Sequence, residues 1–189
     1  VKKKDKTEVV DEEWRQSISY CMKAEGKICW VAPSSPRCWA VNSADSAPML
    51  VALGASVMLV STARERQIPI AALYHDDGMA YLTKRRDEIV TGIVVPGASD
   101  AAHCRTAFFK LRRRGSIDFG VLSVAVALWM EGGPDGEVVS DARVVLGSIA
   151  SLPSSADEVA KALAGQRLTE ETIRAAAARA RTAATPMDN

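Results

Sequence analysis

The chain has 189 residues, of which 48% are hydrophobic and 25% charged, as in ordinary globular domains. Its 24 basic and 23 acidic side chains nearly cancel, so charge favours neither nucleic acid nor an anionic membrane as a partner. No apolar run approaches the roughly 20 residues of a membrane-spanning helix. The charged N-terminus lacks the apolar segment of a secretory signal. We therefore expect a cytoplasmic protein with one large domain or two small ones.

Polar residues precede the first predicted sheet. Residues 1–20 contain one short helical segment, over about 11–20, and residues 21–42 have the composition of a loop. Asp45-Ser-Ala-Pro48 is typical of a helix start, with Asp or Ser as the N-cap and proline in the first turn. Gly54 then ends that helix. Strands are predicted over 56–60 and 87–96, with an extended and then helical segment over 68–73.

Small and polar residues over 96–102 predict a domain boundary. Beyond it, strands are predicted over 106–112, 121–130 and 141–149, with a turn at 132–136, and helices over 153–164 and from Thr169 to about Ala184. Strands followed by helices, without strict alternation, indicate an α+β fold.

Three of the four cysteines lie in the 21–42 loop. Cys21, Cys29 and Cys38 are separated by seven and eight residues. Thiols stay reduced in the cytoplasm, so a cysteine group there favours a cluster or a metal ion over disulfides. Zinc prefers shorter cysteine pairs, so the spacing favours an iron–sulfur cluster, with zinc and no metal as the alternatives. Cys104 is the remaining cysteine, and is either a fourth ligand or simply buried.

Three motifs, in this order, resemble the flavin-binding (medium) subunit of the molybdenum hydroxylases, the family of xanthine dehydrogenase and carbon monoxide dehydrogenase. They are Ser-Ala-Asp-Ser-Ala-Pro followed by a helix at 43–55, Tyr81-Leu82 with Asp-Glu-Ile-Val-Thr at 87–91, and Phe-Lys-Leu-Arg-Arg-Arg-Gly-Ser-Ile-Asp at 109–118. The resemblance implies the second lobe of a PCMH-type FAD-binding domain over 43–97. A domain like the carbon monoxide dehydrogenase flavoprotein C-terminal domain follows over 98–189, with a three-stranded antiparallel sheet plus helices.

The cysteine loop resembles an insertion in the flavin subunit of 4-hydroxybenzoyl-CoA reductase. This implies a [4Fe–4S] cluster on Cys21, Cys29 and Cys38 within a cysteine-containing insertion over 1–42. The fourth ligand of that insertion has no cysteine counterpart in residues 1–20. Compared with the family, the N-terminal lobe with its glycine-rich flavin loops and the C-terminal end are missing. We therefore expect the isolated chain not to hold FAD tightly.

The resemblance also implies cofactor contacts and partners. Asp45, Leu82 and Lys110 match flavin-contacting positions, and no catalytic residue is implied. A large molybdopterin subunit and a small subunit with [2Fe–2S] clusters are the implied partners, with ferredoxin or another carrier exchanging electrons. The chain would be the electron-transfer part of such an oxidoreductase.

Each of the three flavin positions also has a simpler interpretation. Asp45 is explained by helix capping alone, and Leu82 by a place in the core. If Phe109 and Leu111 face the core, Lys110 points the other way and is an ordinary solvated lysine.

Two rival functions remain open from the sequence. The chain could be a non-catalytic subunit-docking module whose cysteines bind zinc or nothing. It could also be a small metal-binding protein unrelated to flavins. Flavin, an iron–sulfur cluster and zinc differ in colour, which separates the three.

Overall fold

A computed structural model describes residues 21–97, 103–115, 117–133 and 136–184. These ranges contain two antiparallel sheets, one before and one after residues 98–102. No helix within them is long and apolar enough to cross a membrane. Strands and helices are both present and the strands are antiparallel, so the α+β prediction is confirmed.

The first unit places a small sheet after the cysteine loop. The elements are a 3₁₀ turn (Met22–Ala24), α1 (Ser46–Ala52), β1 (Ser56–Val60), β2 (Glu65–Pro69), a 3₁₀ turn (Ile70–Leu73) and β3 (Ile89–Val94). Side chains of β1 alternate between partly and fully buried positions, as expected for a strand with one face on a core. The strand order is β2-β1-β3, so β1 is central and pairs with both neighbours.

The second unit is a larger sheet covered by two helices. Its three long strands correspond to the predicted three-stranded antiparallel sheet, and a two-residue strand extends the edge in the order β4-β5-β6-β7. The elements are β4 (Cys104–Leu111), β5 (Leu122–Gly133), β6 (Gly136–Gly147), β7 (Ser154–Ser155), α2 (Asp157–Leu163) and α3 (Glu170–Ala183). Helix α2 packs on β6 and on α3, and both helices contribute to one apolar cluster with Met130, Val139 and Leu146 of the sheet.

Helix α1 links the two units, because it packs on the second sheet, on the face opposite to the one that α2 and α3 cover. Ala52 is fully buried there with Ala125, Ala127 and Val145. The approach is close: a Cβ at Gly147 would lie 2.6 Å from Cγ of Pro48. Small side chains therefore allow the first unit to rest directly on β5 and β6, which fixes the start of α1 beside β4.

Two boundaries differ most from the sequence predictions. Strand β6 begins at Gly136 instead of Asp141, because pairing with β5 continues to the end of the hairpin. Helix α2 begins at Asp157 instead of Pro153, since Ser154–Ser155 pairs with β6 as a strand. The predicted helix over 11–20 and most of the predicted boundary at 96–102 lie outside the described residues.

Candidate functional site

Two open cavities share one wall at Ser43, just before α1. The first, which we call the lobe cavity, measures about 480 Å³ and is lined by Ala40, Ser43, Gly78, Tyr81 and Leu82, among others. The second, the basic cavity, measures about 520 Å³ and is lined by Ser43, Asp45, Lys110, Arg112 and Arg114, among others. Each has the size of a small-molecule site. The segment 43–45 therefore separates two adjoining spaces.

Asp45 and Lys110 form an ion pair in the basic cavity. Lys110 Nζ donates to Asp45 Oδ2 at 2.8 Å, although the two residues are 65 positions apart. Asp45 occupies the N-cap position of α1, but its side chain makes no capping hydrogen bond. The prediction that capping explains Asp45 is therefore wrong about the side chain, which is aimed at Lys110 instead.

Lys110 is partly buried, although most residues of β4 are exposed. Its side chain is 18% exposed, and its stem runs past Gly120. Phe109 and Leu111 are 67% and 49% exposed, so they do not face a core within the described residues. The alternative of an ordinary solvated lysine opposite two core residues does not describe this strand.

A second ion pair orders the far end of the basic cavity. Arg114 donates to Asp118 through Nη2, at 3.0 Å from Oδ1, and through its backbone N–H, at 3.1 Å from Oδ2. These bonds hold the pKa of Asp118 below its usual range. Arg112 lines the same space without a recorded ion pair among the described residues. The cavity thus keeps a positive excess suited to an anionic ligand.

Leu82 lies at the opposite end of the site, in the lobe cavity. Its backbone bridges to Tyr74, and its side chain packs partly against the core of Val57, Leu59 and Leu73. It also lines the cavity. One side of Leu82 therefore packs against the core and the other lines the cavity, so the two interpretations of this residue are compatible.

Two of the three loop cysteines lie side by side. Cys29 and Cys38 are both buried, at 2% and 6% exposure, and their side chains are close enough for Cys38 to influence the pKa of Cys29. The backbone N–H of Trp39 donates to Cys29 Sγ at 3.2 Å, and that of Ala40 donates to Cys38 Sγ at 3.5 Å. A loop expected to bury little on its own thus encloses two sulfur atoms.

Competing effects act on the Cys29 thiol. Desolvation raises its pKa, whereas hydrogen bonds from the backbone of Trp39, Ala32 and Val31 and from the Cys38 thiol lower it. The net result is a pKa below the ordinary value for cysteine. Donors that stabilise a thiolate in this way also stabilise thiolate ligands of iron or zinc.

Cys21 is half-buried and approaches the pair through the backbone. It bridges to Ile28, the residue before Cys29, and its carbonyl accepts from the N–H groups of Ala24 and Gly26. Across the described ranges, no three histidine, cysteine or acidic side chains lie together in an arrangement that could hold a metal ion. The described residues therefore place two thiols together, with the third, Cys21, nearby in the sequence. Thiols are of the right chemical type to bind an iron–sulfur cluster or zinc.

Contacts from two other segments anchor the cysteine loop. Arg37 Nη2 donates to Asp76 Oδ2 at 2.7 Å, and its guanidinium stacks on Trp39 at 3.5 Å from the ring centroid. The buried Ser151 donates through Oγ to the Ala40 carbonyl at 2.7 Å. Sequence patterns missed Asp76 and Ser151, and their only local signal is a polar residue within a turn-rich stretch.

Cys104 opens β4 in another part of the fold. It packs against the alanine-rich core of Ala52, Ala125 and Ala127 and lines a cavity with Trp129 and Arg143. Cys104 is only partly buried, so the simple burial alternative describes it in part. Its assignment as a fourth ligand stays a prediction.

Comparisons with known proteins assign both units to described domains. Residues 26–98 match the FAD binding domain in molybdopterin dehydrogenase, and residues 107–189 match the CO dehydrogenase flavoprotein C-terminal domain. The nicotinate dehydrogenase FAD-subunit of Eubacterium barkeri is 29% identical over 136 residues, which cover 69% of this chain and 43% of that protein.

Solved structures give the same result. The carbon monoxide dehydrogenase of Hydrogenophaga pseudoflava, in a form lacking the Mo-pyranopterin moiety, matches with a TM-score of 0.63 and 26% identity over 75% of this chain and 47% of that one. Quinoline 2-oxidoreductase from Pseudomonas putida 86 shares the fold, with a TM-score of 0.61 and 23% identity over 78% of this chain and 49% of that one. The chain spans less than half the length of each of these proteins. The chain thus carries an FAD binding domain of the molybdopterin dehydrogenase type followed by a CO dehydrogenase flavoprotein C-terminal domain, in the order that the resemblance to the flavin-binding subunits of the molybdenum hydroxylases predicts.

Proposed function

We propose that this chain binds FAD as part of a multi-subunit oxidoreductase of the molybdenum hydroxylase type and passes electrons between iron–sulfur clusters, FAD and an external carrier. The observation that carries the proposal is the Asp45–Lys110 ion pair, which lines the basic cavity two residues after Ser43, the residue that lines both cavities. Both domains match flavoprotein families, and the ion pair joins a residue of the first domain to a residue of the second. No residue of this chain is assigned a catalytic role on substrate.

Asp45, Leu82 and Lys110 are the residues that we assign to the flavin. A bound flavin supplies reversible storage of electrons. Lys110 provides a partly covered positive charge that would stabilise the negative charge of a reduced ring, and Asp45 fixes the position of that ammonium group. Leu82 provides an apolar surface in the lobe cavity. The arginines at 112 and 114 add the positive charge that suits a phosphate-bearing ligand.

We assign Cys21, Cys29 and Cys38 to a [4Fe–4S] cluster, with zinc or no metal as the alternatives. Support comes from the buried sulfur pair and from its two N–H donors, since hydrogen bonds to sulfur tune such clusters. The cluster also requires Cys21 to turn toward the pair and a fourth ligand to join them. The backbone of Cys21 bridges to Ile28, next to Cys29, which keeps this third thiol in the same part of the loop.

The proposed complex follows from the family. A large molybdopterin subunit transforms the substrate, a small subunit holds [2Fe–2S] clusters, and ferredoxin or another carrier exchanges electrons with the whole. A cytoplasmic location, in which these thiols would stay reduced, is part of the proposal.

One measurement tests the cofactor content directly. We would record an anaerobic visible spectrum with iron, zinc and flavin quantitation, on the isolated chain and on its native complex. We expect about four irons per chain, as one [4Fe–4S] cluster requires, with FAD in the complex and little in the isolated chain. Zinc in place of iron would contradict the cluster, and a native complex without flavin would contradict the function.

Lys110→Met tests the flavin assignment, because it keeps the length of the side chain and removes its charge. We expect the flavin reduction potential in the complex to fall by roughly 30 mV, about tenfold in the two-electron equilibrium, since the reduced anionic form loses its cation. Lys161→Met is the matched control, as Lys161 forms an exposed pair with Glu158 on α2. Equal potentials in the two variants would show that Lys110 does not act on the flavin.

A further inference from the structure

The sulfur pair and the lobe cavity lie on opposite sides of one thin wall. Ala40 and Gly78 both line the lobe cavity. On the other side, the Ala40 N–H donates to Cys38 Sγ at 3.5 Å, and the Gly78 N–H donates to the Cys38 carbonyl at 2.9 Å. Ala40 and Gly78 therefore contact both Cys38 and the cavity, and at these two residues the wall consists of backbone and one methyl group.

Gly78 is the thinnest point of this wall, and space rather than backbone conformation requires glycine there. A Cβ at this position would lie 2.7 Å from Cys38 Sγ and 2.8 Å from Ala40 Cβ. Its φ lies outside the left-handed region that favours glycine, since the positive-φ glycines of the described chain are at other positions. Any side chain at 78 must therefore push the sulfur away or open the wall.

Neighbouring contacts prevent the wall from yielding easily. The Ala40 carbonyl accepts from Ser151 Oγ at 2.7 Å. On the Gly78 side, Asp77 Oδ1 accepts from the Met79 N–H at 2.8 Å, and Asp76 pairs with Arg37. The Arg37–Asp76 pair joins the two wall segments and Ser151 holds Ala40 from a third segment, so an added methyl group meets restrained atoms on both sides.

We propose that Gly78 is a positioning residue that holds the Cys38 sulfur against the lobe cavity, so that electrons pass between a cluster on Cys38 and a flavin in that cavity through the Ala40–Gly78 wall. The inference rests on the proposed function. In each transfer one electron leaves one cofactor and enters the other, and no bond of the protein forms or breaks. The bare glycine keeps the two cofactor sites one backbone layer apart.

The first test needs no cofactor. In the metal-free chain, Gly78→Ala is expected to displace Cys38 and raise its labelling by a maleimide reagent, read by mass spectrometry. Gly92→Ala is the matched control, because a Cβ there meets only Met58 Cγ, at an ordinary 3.9 Å. Equal labelling of Cys38 in both variants would overturn the positioning role whether or not the chain binds iron.

The second test uses the native complex. We expect Gly78→Ala to retain FAD but to lose the cluster's visible absorption to an iron chelator about 10–100-fold faster than Gly92→Ala, as for changes behind a metal ligand. Ala40→Gly keeps the N–H donor to Cys38 and removes only the methyl group, so we expect it to retain iron and FAD but to slow cluster reduction several-fold in rapid mixing. An unchanged rate in Ala40→Gly would overturn the route, and a wild-type complex lacking iron or flavin would instead overturn the proposed function.

Discussion

The two sheets are held together by different means. The second sheet buries a continuous apolar cluster of nine residues under α2 and α3, including Leu146 and Val139. Within the described residues, the apolar cluster at the sheet of the first unit (β1, β2 and β3) consists of Val57, Leu59 and Leu73. The edge strand β3 of this sheet is exposed along most of its length. Apolar burial therefore stabilises the second unit far more than the first.

In the first unit, a buried ionic network adds to the stabilisation that apolar burial provides. Glu88, which is 2% exposed, accepts from Arg66 Nε at 2.7 Å and Nη2 at 2.8 Å, and from the Arg85 N–H at 2.7 Å. A buried carboxylate with such partners specifies how chain segments meet, at a desolvation cost. It joins β2 to the start of β3, where few apolar contacts do so.

A matched pair of leucine truncations measures the difference between the sheets. Leu59 and Leu146 are both buried, at 0% and 2% exposure. We expect Leu146→Ala to lower the free energy of unfolding by about 4 kcal/mol and Leu59→Ala by about 3 kcal/mol, because the cost rises with how firmly the surroundings hold the cavity open. Urea denaturation followed by circular dichroism would measure both. A larger loss for Leu59 would reverse the comparison.

Glu88→Gln tests whether the ionic network stabilises the first unit. The amide cannot accept both guanidinium bonds, so we expect the midpoint of thermal unfolding to fall by at least about 4 °C. Glu158→Gln is the control, because the Glu158–Lys161 pair is exposed and such pairs contribute little. Similar midpoints for the two variants would show that burial of Glu88 brings no stabilisation.

Glu88 should also make the stability of the fold depend on pH. Hydrogen bonds from Arg66, followed by that from the Arg85 N–H, lower the pKa of Glu88 from 4.5 to about 2. Because the folded pKa is depressed, this contribution is present above the unfolded pKa and is lost as the pH falls from about 4.5 toward 2. Thermal unfolding of the wild type should therefore lose more stability over that window than unfolding of Glu88→Gln. Parallel acid profiles would contradict the assignment.

Local sequence patterns correctly predicted the features of the fold that local interactions determine. Strand β1 has its predicted bounds of 56–60, and α3 follows its Thr169 cap as expected. Hydrophobic alternation and capping act within a few residues, so a single sequence contains them. The α+β class followed from the same signals.

Those patterns could not predict which residues distant in the sequence contact each other in the fold. Asp45 was correctly placed at a helix start, yet its side chain pairs with Lys110 from another unit. Glu88 lies within a predicted strand segment, and only the fold brings Arg66 to it. Gly78 carries no signal of its own, because its proximity to Cys38 arises from loop packing. Ion pairs and close approaches of this kind depend on tertiary structure.

The smallest expected effect concerns how α3 is attached to the second sheet. Thr169 Oγ1 accepts from the Thr172 N–H at 3.2 Å, and the Thr169 N–H donates to Thr172 Oγ1 at 2.9 Å, a reciprocal capping box. We expect Thr169→Ala to cost about 1 kcal/mol of unfolding free energy. Thr182→Ala is the control, because Thr182 lies in the last turn, bonds only to the Arg179 carbonyl among the described residues and is exposed. Alanine there should be neutral or slightly stabilising. Since Ala176 is the only fully buried residue of α3 within the described chain, equal stabilities would mean that this one contact, rather than the cap, sets where the helix begins.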